Sequence, residues 1–544
     1  MRNDLPGYLF IGRASDIKSR KDRLLYRVLE ILPGFFIWST FAAFIGLAYF
    51  KPLWIAIFTL AFAFYWLLKV VYLAVHTRTA YKKMRRHEQI NWIEKLKALP
   101  REDYNVPVND WRDIWQLAIF PMYKESYEII ASTFDAVLDT DWPKDKMIIV
   151  LATEEAGGEE AARTAERIKK EYGSRFGDFL VTSHPKNLEG EIPGKGSNET
   201  WAAREAQRLI DKRGIPYENV LISSLDVDTV VYPRYFSVLT YYFLTSEKPY
   251  RTSYQPIPLF INNIWEAPAL SRIASFSSSF WHTMNQERPE KHLTFSSHSM
   301  SFKTLVAVGF WQTNVVSEDS RIFWQCFLRF GGDYHVESLY YPIAMDANVA
   351  SSYMRTMLNV YKQQRRWAFG AADVPYFLFG YYKNRRIPFP KLWQYAWPTI
   401  EGFYSWATHS LLLFILGWLP LFLGGDEFNS SLLSYNLPRM TRILLSVAMV
   451  GLISSAYLSI ILLPPRPPQY GRFRYFWMVV QWLFIPVNLI VFGALPAIEA
   501  QTRLMFNKYL GFWPTEKYRK ALIQNATSAA SYARDSSGQK GRLS

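Results

Sequence analysis

Long runs without charged residues lie near both ends of the chain. Residues 31–50 and 52–68 contain no Asp, Glu, Lys or Arg, and neither do residues 402–425, 443–465 and 475–498. A helix needs about 20 apolar residues to cross the hydrocarbon core of a bilayer. Buried core helices of a large soluble protein are the alternative, but five such windows grouped at two ends of one chain favour membrane spans. We therefore predict an integral, multi-pass membrane protein embedded in a lipid bilayer.

Lysine and arginine are concentrated beside the first two windows. Seven lie in residues 1–30 and seven in residues 76–97, whereas the link between the windows holds only Lys51. Positive residues favour the cytoplasmic side of a membrane. We predict that the N-terminus and the large middle region face the cytoplasm, as in a bacterial inner-membrane protein. The basic tail would lie on the other side if all five windows crossed. We therefore expect either that one C-terminal window forms a hairpin or that the last one is re-entrant, with Pro486 and Pro496 as candidate break points.

Residues 105–375 show a different pattern. Apolar runs of strand length occur at 116–121, 146–152 and 219–225, and a helical pattern at 127–138 separates the first two. Strands that alternate with helices predict an α/β fold with a parallel sheet. Ligands of such sheets bind at the carboxyl ends of the strands. Polar residues that directly follow these runs are therefore candidates for a site.

Composition narrows the possible classes. The single cysteine, Cys326, excludes a disulfide scaffold and Cys-ligated zinc or iron–sulfur centres. The aromatic share of 17% suits bilayer interfaces and sugar-stacking sites. The net charge of +15 is concentrated beside the apolar windows and in the tail, which favours the inner membrane face over nucleic acid. We therefore expect no nucleic-acid partner.

Two aspartates follow the third predicted strand. Asp226 and Asp228 leave an apolar run together, at the sheet edge where ligands bind. Carboxylate oxygens suit a hard divalent cation that also binds the phosphates of a substrate. Asp-x-Asp also occurs in ordinary turns, so the motif alone leaves both a metal site and a turn open.

A second acidic pair, Glu318 and Asp319, lies in the sequence Ser-Glu-Asp-Ser at 317–320, before a predicted helix at 321–329. In a purely structural interpretation, Ser317 caps the helix and the acids occupy its first turn. In the functional interpretation, one carboxylate is a general base that removes a proton from an acceptor hydroxyl.

The segment Gln-Gln-Arg-Arg-Trp at 363–367 stands where the polar region gives way to membrane-associated sequence. Gln363 offers an amide donor, Arg366 a guanidinium for a phosphate, and Trp367 an indole face for a sugar ring. A basic helix end with a Trp at the membrane surface would explain the arginines and the tryptophan. It does not explain the glutamines.

Two further segments carry polar side chains. Residues 193–198 (Pro-Gly-Lys-Gly-Ser-Asn) predict a flexible loop in which Lys195 can approach a phosphate; an exposed turn is the alternative. The segment lacks the spacing and the Ser or Thr of a Walker loop. Residues 121–125 (Pro-Met-Tyr-Lys-Glu) place Tyr123 and Glu125 after the first strand.

The motifs occur along the chain in the order 121–125, 194–195, 226–228, 318–319 and 363–367. This order resembles the family-2 inverting glycosyltransferases, in particular the membrane-embedded synthases of cellulose, hyaluronan, chitin and poly-N-acetylglucosamine. The resemblance covers residues 105–375 and the arrangement of apolar windows around them. It implies a Rossmann-like α/β domain of the glycosyltransferase A type, cytoplasmic and inserted between N- and C-terminal transmembrane α-helices.

The resemblance also implies a role for each motif residue. It places the nucleotide-sugar, expected to be a UDP-sugar, against Tyr123, Glu125, Glu154, Lys195, Asp226, Gln363 and Arg366. It implies Mg²⁺ or Mn²⁺ on Asp226 and Asp228, and Asp319 as the catalytic base. It places the acceptor against Trp367 and Glu318.

The chain departs from the family pattern in three places. The usual Asp-Asp-Gly-Ser after the second strand is Thr-Glu-Glu-Ala at 153–156, and Lys124 stands where an Asn is usual. The segment Phe-Ser-Ser-His-Ser at 295–299 differs from the acceptor loop of the cellulose type.

Residues 512–517 (Phe-Trp-Pro-Thr-Glu-Lys) resemble the gating loop of these synthases, which implies a cytoplasmic tail.

The expected activity is that of a hexosyltransferase: inverting, metal-dependent transfer of a sugar to a growing polysaccharide or glycan. One alternative is a non-processive enzyme that adds one sugar to a membrane lipid; another is a nucleotide-sugar sensor without catalysis. An export partner is left unidentified. The predicted boundaries are 1–30 (basic segment), 31–75 (two transmembrane helices), 76–104 (linker), 105–375 (catalytic domain), 376–401 (interfacial helices), 402–498 (C-terminal transmembrane region) and 499–544 (basic tail with the possible gating loop).

Overall fold

An eight-stranded sheet forms the centre of the middle region. The computed structural model describes residues 5–511, 513 and 517–519. The strands are β1 (Trp115–Pro121), β2 (Met147–Glu154), β3 (Asp178–His184), β4 (Val220–Ser224), β5 (Val230–Val231), β6 (Thr252–Phe260), β7 (Ser299–Ser301) and β8 (His335–Met345). They lie in the order β3-β2-β1-β4-β7-β6-β8-β5. The three strands predicted from apolar runs are β1, β2 and β4, and these predictions are confirmed.

Only part of the sheet is parallel. Strands β3, β2, β1 and β4 run parallel to one another, as do β6 and β8. Strand β7 is antiparallel to both β4 and β6, and β5 is antiparallel to β8. The parallel sheet expected from the sequence is therefore confirmed for β1 to β4, and it is wrong for β5 and β7, which are antiparallel to their neighbours. The three residues of β7 (Ser-Met-Ser) form no apolar run, so a pattern of hydrophobic positions does not reveal this strand.

The described residues form nineteen α-helices. They are α1 (Arg20–Phe50), α2 (Pro52–Gln89), α3 (Trp92–Lys97), α4 (Tyr127–Leu138), α5 (Gly158–Tyr172), α6 (Lys195–Arg213), α7 (Tyr235–Thr245), α8 (Ala269–Asn285), α9 (Phe302–Val308), α10 (Glu318–Arg329), α11 (Tyr353–Ala368), α12 (Asp373–Lys383), α13 (Phe389–Phe414), α14 (Leu419–Leu423), α15 (Gly425–Asn429), α16 (Leu432–Ile461), α17 (Phe473–Val480), α18 (Ile485–Asn488) and α19 (Leu495–Met505).

Both faces of the sheet are covered. Along β1, Ala118 and Phe120 belong to the cluster of buried apolar side chains on one face, and Leu117 and Ile119 to the cluster on the other. Alternate residues of a strand point to opposite faces, and a strand buried on both faces has a continuous apolar run. The lack of alternation at 116–121 is therefore a direct consequence of the layered α/β arrangement.

Among the described residues, four helical segments are long and apolar enough to cross a membrane. They are α1, α2, α16 and the continuous segment Phe473–Met505 that α17, α18 and α19 form together. Helices α13 and α14 belong to a pair bent by 42°, which adds a fifth candidate only if the pair is counted as one span. The apolar windows predicted at both ends of the chain thus coincide with long helices, and the bent pair contains the window at 402–425.

Helix α2 connects the apolar helices to the sheet. It continues past the apolar window to Gln89, and its last turns contact the sheet region. Lys83 Nζ lies 2.8 Å from Oε2 of Glu287, two residues after the end of α8, and His87 Nδ1 lies 3.0 Å from the carbonyl oxygen of Leu339 in β8. The position of the sheet relative to the apolar helices is therefore fixed by packing as well as by the chain.

Candidate active site

The carboxyl ends of β1, β2 and β4 meet at one edge of the sheet, beside the point where the strand order reverses. Asp226 and Asp228 directly follow β4; the side chain of Asp226 is 25% exposed and that of Asp228 only 3%. The backbone N–H of Thr229 donates to the carbonyl oxygen of Asp226 over 2.8 Å. The segment is therefore a turn that also presents two carboxylates, so the two interpretations of the motif are compatible.

Lys195 joins the two acidic motifs. Its Nζ lies 2.8 Å from Asp226 Oδ1 and 2.9 Å from Asp319 Oδ1. It is the first residue of α6 and its side chain is 9% exposed, so the flexible loop predicted at 193–198 is wrong from Lys195 onward. A Cβ on Gly196 would come within 2.9 Å of Glu318 Cβ. That glycine therefore permits close packing, whereas the sequence suggested flexibility.

Glu318 and Asp319 occupy the first turn of α10 but differ in environment. Asp319 is 21% exposed, and both of its carboxylate oxygens accept from Lys195, over 2.9 and 3.2 Å. Glu318 is 1% exposed, and neither of its oxygens has a hydrogen-bond partner among the described residues. Ser317 makes no capping bond through its side chain. Only Asp319 of the pair faces the opening, and Glu318, expected at the acceptor, is enclosed behind it.

Glu199 is part of this cluster and was missed by the sequence analysis. Its side chain is fully buried one turn after Lys195, with Oε1 3.7 Å from Lys195 Nζ. The hydroxyl of Ser224 donates to the same oxygen over 2.5 Å. The i, i+4 spacing of Lys195 and Glu199 would have indicated a pair on one helix face, but only once residues 195–199 were known to be helical.

The buried acids behind Asp319 are protonated more readily than ordinary carboxyls. Burial, followed by the negative charge of Asp319, raises the pKa of Glu318 to about 7. Burial also raises the pKa of Glu199 well above its usual range, although Lys195 opposes the effect. A low-dielectric environment disfavours the charged form of a carboxyl. Glu199 and Glu318 therefore both bind a proton more readily than an exposed glutamate does.

The groups nearer the opening keep their charges. Burial alone would raise the pKa of Asp226, but the positive charges of Lys195 and Lys517 hold it well below its usual range. The pKa of Lys195 lies well above its usual range because Asp226, Asp319 and Glu199 outweigh burial. The opening of the site thus presents fixed charges of both signs.

Asp228 contacts the C-terminal segment. Lys517 Nζ lies 2.6 Å from Asp228 Oδ1, and the backbone N–H of Asp346 donates to Asp228 Oδ2 over 3.2 Å. Burial raises the pKa of Asp228 to about 6, with the charge of Lys517 acting against it. Of the predicted gating-loop segment, residues 512 and 514–516 lie outside the described residues. Lys517 itself places a positive charge at the Asp-x-Asp motif.

Asp346 is a further acid that the sequence analysis did not identify. It directly follows β8, as Asp226 directly follows β4, and its carboxylate accepts from Arg519 over 2.5 to 3.1 Å. Ligands of such sheets bind at strand ends, and this holds for Asp346 as well as for Asp226. Since no strand was predicted at 335–345, Asp346 was not among the predicted site residues.

The segment 363–367 lies on α11 and contacts two regions. Gln363 and Trp367 line a small cavity of about 10 Å³ that also includes Asp346, with room for about one water molecule. The ring of Trp367 packs beside that of Phe260, with centroids 6.1 Å apart. The indole of Trp367 is thus partly exposed and lies beside this small cavity.

The two arginines of the segment differ in their contacts. Arg366 is close enough to Glu318 for its positive charge to oppose the rise of that pKa. Arg365 Nη1 lies 2.6 Å from Glu499 Oε1 in α19, so it joins α11 to an apolar segment. The interpretation as a basic helix end therefore holds for Arg365, whereas Arg366 and Trp367 border the polar site.

Tyr123, Glu125 and Glu154 lie on the β1 and β2 side of the same sheet edge. Glu125 Oε2 accepts from the backbone N–H groups of Tyr123 and Lys124, over 2.8 and 3.1 Å. Burial raises the pKa of Glu154. These side chains border the acidic cluster. The Glu125 carboxylate stabilises the turn after β1 through its two hydrogen bonds to backbone N–H groups.

The carboxylates of Asp226 and Asp228 fit a hard divalent cation. Oxygen ligands are what Mg²⁺ and Mn²⁺ prefer, and each carboxylate already has an ammonium group within 2.8 Å. A second group, Glu199, Glu318 and Asp319, has ligand atoms within 4.8 Å of one another. Lys195 already occupies Asp319, and the pKa of both glutamates is raised. Both acidic groups therefore offer oxygen ligands of the kind that hold a divalent cation, and each already pairs with an ammonium group.

Comparisons with known proteins give distant structural likenesses. No family model and no curated protein matches the sequence. The mannosyltransferase PcManGT from Pyrobaculum calidifontis, in complex with GDP-Man and Mn²⁺, aligns with a TM-score of 0.39 and 13% identity over 80% of this chain and 99% of that chain. S. aureus TarS 1-349 in complex with UDP-GlcNAc aligns with a TM-score of 0.30 and 11% identity, over 63% of this chain and 92% of that chain.

A third structure, GalNAc-T7 with UDP, GalNAc and Mn²⁺, gives a TM-score of 0.32 and 10% identity over 53% of this chain and 58% of that chain. Likenesses at these TM-scores do not define the family or the activity of this chain.

Proposed function

We propose that the protein is a membrane-bound glycosyltransferase that transfers a sugar, with inversion, from a nucleotide-sugar to a growing polysaccharide or glycan. The proposal rests on the ordered motifs and on one observation above all. Lys195 contacts both Asp226 and Asp319, over 2.8 and 2.9 Å. Residues from three motifs that are far apart in the sequence thus meet around one ammonium group.

This juxtaposition suits transfer from a diphosphate leaving group. Such a reaction needs positive charge where the leaving group gains negative charge, and a carboxylate that takes a proton from the attacking hydroxyl. Lys195 supplies the first and Asp319 the second. In the structure they neutralise each other, so a diphosphate that attracts Lys195 Nζ would also free Asp319 to act as a base.

In the proposed reaction, an acceptor hydroxyl oxygen attacks the anomeric carbon while the bond from that carbon to the diphosphate oxygen breaks. Asp319 accepts the hydroxyl proton, and the electron pair of the broken bond stays on the diphosphate. Lys195 and Arg366 offset the charge that develops there. A single attack from the face opposite the leaving group inverts the anomeric configuration.

Asp226 and Asp228 are the residues that would hold Mg²⁺ or Mn²⁺, which supplies further positive charge to the diphosphate when bound. Trp367 offers an apolar face to the acceptor ring. Glu318, buried behind Asp319, acts in this proposal through its effect on Asp319 and makes no contact with substrate.

The same contacts support a membrane arrangement. Lys517 follows the last apolar segment and contacts Asp228 beside the sheet. In this arrangement, the C-terminal membrane region therefore starts and ends on the same side of the membrane as the sheet. An even number of crossings is then required between the sheet and Lys517. Helix α16 and Phe473–Met505 provide two, which leaves the bent pair α13 and α14 as a re-entrant element. The bias of Lys and Arg then assigns this side to the cytoplasm.

The deciding experiment is a screen of UDP- and GDP-sugars with the detergent-solubilised full chain, with Mg²⁺ or Mn²⁺, followed by measurement of nucleoside diphosphate release. Asp319→Asn should still bind nucleotide but lose about 100-fold or more in transfer rate, as expected for loss of a general base. Asp333→Asn is the matched control, because Asp333 is 47% exposed and pairs with Lys248 away from the site. Unreduced transfer by Asp319→Asn would refute the assignment of the base.

Product analysis separates the alternatives. A ladder of polymer lengths made from a labelled donor would support a processive synthase. A single lipid-linked product would instead support one transfer to a membrane lipid. Nucleotide binding without turnover of any donor would favour the sensor and overturn the enzymatic proposal.

A further inference from the structure

A second cavity lies where the last apolar segment meets the sheet region. It has a volume of about 270 Å³ and is bordered by α8 and by the segment from α17 to residue 484. Arg272 of α8 and Arg474 of α17 both line it, together with Trp477, Gln481 and Phe484. Helix α8 also borders the Trp367 cavity, but with other residues, so the two cavities are distinct.

The two guanidinium groups are not neutralised by any carboxylate that the structure describes. Arg272 donates from Nε to Gln481 Oε1 over 2.7 Å and from Nη1 to the carbonyl oxygen of Ala267 over 2.5 Å. Arg474 donates from Nη2 to the carbonyl oxygen of Trp265 over 2.8 Å. All of these acceptors are neutral, so the cavity keeps two positive charges.

Two buried donors at this cavity also lack an acceptor in the described part of the chain. They are Arg474 Nε and Gln481 Nε2, and Gln481 is 3% exposed. An unsatisfied buried donor is costly, and Arg272, 6% exposed, adds the cost of a buried charge. Burial, and then the like charge of Arg474, lowers the pKa of Arg272 to about 10. An anion with several acceptor oxygens would accept hydrogen bonds from both unsatisfied donors and would also offset the buried charge of Arg272.

The rim of the cavity is aromatic and apolar. Trp477 is 55% exposed and Phe484 is 52% exposed, and both belong to Phe473–Met505, the last segment able to cross a membrane. Arg474 lies in the first turn of that segment, at the depth where a span meets the headgroups. Exposed aromatic side chains are typical of this interface. A positive floor and an apolar rim match a ligand with an anionic head and an acyl tail.

We propose that this cavity binds the phosphate group of an anionic membrane lipid, held by Arg272, Arg474 and Gln481, with the acyl chains against Trp477 and Phe484. Arginine forks match the geometry of phosphate oxygens, which favours a phosphate over a carboxylate. This inference does not depend on the proposed transfer reaction, because none of these residues belongs to the acidic cluster.

The test uses the full chain in a neutral detergent, titrated by calorimetry with three ligands: dihexanoyl phosphatidylglycerol, dihexanoylglycerol without phosphate, and inorganic phosphate. Of these three ligands, we expect only dihexanoyl phosphatidylglycerol to bind saturably at low concentration. Equal binding of dihexanoylglycerol would overturn recognition of the phosphate. Equal binding of inorganic phosphate would overturn the assignment to a lipid.

Arg474→Gln should weaken phosphatidylglycerol binding about tenfold, because it removes a charged donor at the cavity. Arg472→Gln is the matched control: Arg472 is exposed, two residues away, and does not line the cavity. Arg474→Lys, which keeps the charge without the fork, should give an intermediate affinity and guards against misfolding of the first variant. Unchanged affinity in Arg474→Gln, with wild-type thermal stability, would overturn the proposal.

Discussion

Replacing Glu318 with glutamine tests the electrostatic account of the site most directly. Glu318 is 1% exposed, its oxygens have no hydrogen-bond partner among the described residues, and Asp319 lies next to it in α10. Burial and that neighbouring charge raise its pKa from 4.5 to about 7. Glu318→Gln keeps the shape of the side chain but removes the ionisation.

The sign and size of the effect follow from proton linkage. The folded state binds the Glu318 proton more tightly than the unfolded state, so this stabilisation is complete below pH 4.5 and is lost as the pH rises toward 7. At about 1.4 kcal/mol per pKa unit, the loss amounts to about 3 kcal/mol. Glu318→Gln should therefore be more stable than the wild type at pH 8 by up to about 3 kcal/mol, with most of the advantage gone at pH 5.

The assay is thermal unfolding of the detergent-solubilised protein, followed by tryptophan fluorescence between pH 5 and pH 8. A difference of about 3 kcal/mol corresponds to roughly 5 °C in the unfolding midpoint for a domain of this size. Glu159→Gln, at an exposed position in α5, is the matched control and should follow the wild type at every pH. If Glu318→Gln also followed the wild type at every pH, the pKa of Glu318 would not be raised in the folded protein, which would contradict the prediction.

Three further results are expected. Lys517→Met removes an ammonium group 2.6 Å from Asp228 Oδ1 and should tighten Mn²⁺ binding several-fold without nucleotide, as measured by electron paramagnetic resonance; unchanged affinity would show that Lys517 does not compete with the ion. Arg321→Met leaves Asp373 buried without the partner it has at 2.6 Å and should cost about 3–5 kcal/mol of stability; in thermal unfolding, the double variant Arg321→Met/Asp373→Leu should recover most of this loss. Trp367→Ala should reduce transfer to a glycan acceptor while nucleotide binding stays at the wild-type level, and a parallel loss of both would contradict its assignment to the acceptor.

The proposed membrane arrangement rests on the uncharged windows of the sequence and on one contact between distant residues of the fold. The sequence identified five uncharged windows but left the side of the basic tail in conflict with their number. The contact of Lys517 with Asp228 supports the proposal of an even number of crossings after the sheet. In that proposal the pair α13 and α14, bent by 42°, is the element that does not cross.

Local pattern accounts for much of the fold. Continuous apolar runs predicted β1, β2 and β4 because strands buried on both faces need apolar residues at every position. The periodic segment at 127–138 is helix α4, with the same bounds. Short strand β7 and the helical start of α6 were not predicted, because Ser-Met-Ser and Gly-Lys-Gly-Ser have no strong local preference and adopt their structure through packing.

The residue types at strand ends and the positions of the apolar windows can be read from the chain alone, since both are properties of neighbouring residues. The contacts of Lys195 with Asp226 and Asp319 come from tertiary packing. So do the enclosure of Glu318 beside an accessible Asp319 and the positions of Glu199 and Asp346 at the site. These facts depend on the sheet order and on the packing of α6 against α10. Distances between residues far apart in the chain, and the burial that shifts their pKa values, arise only when the elements are assembled.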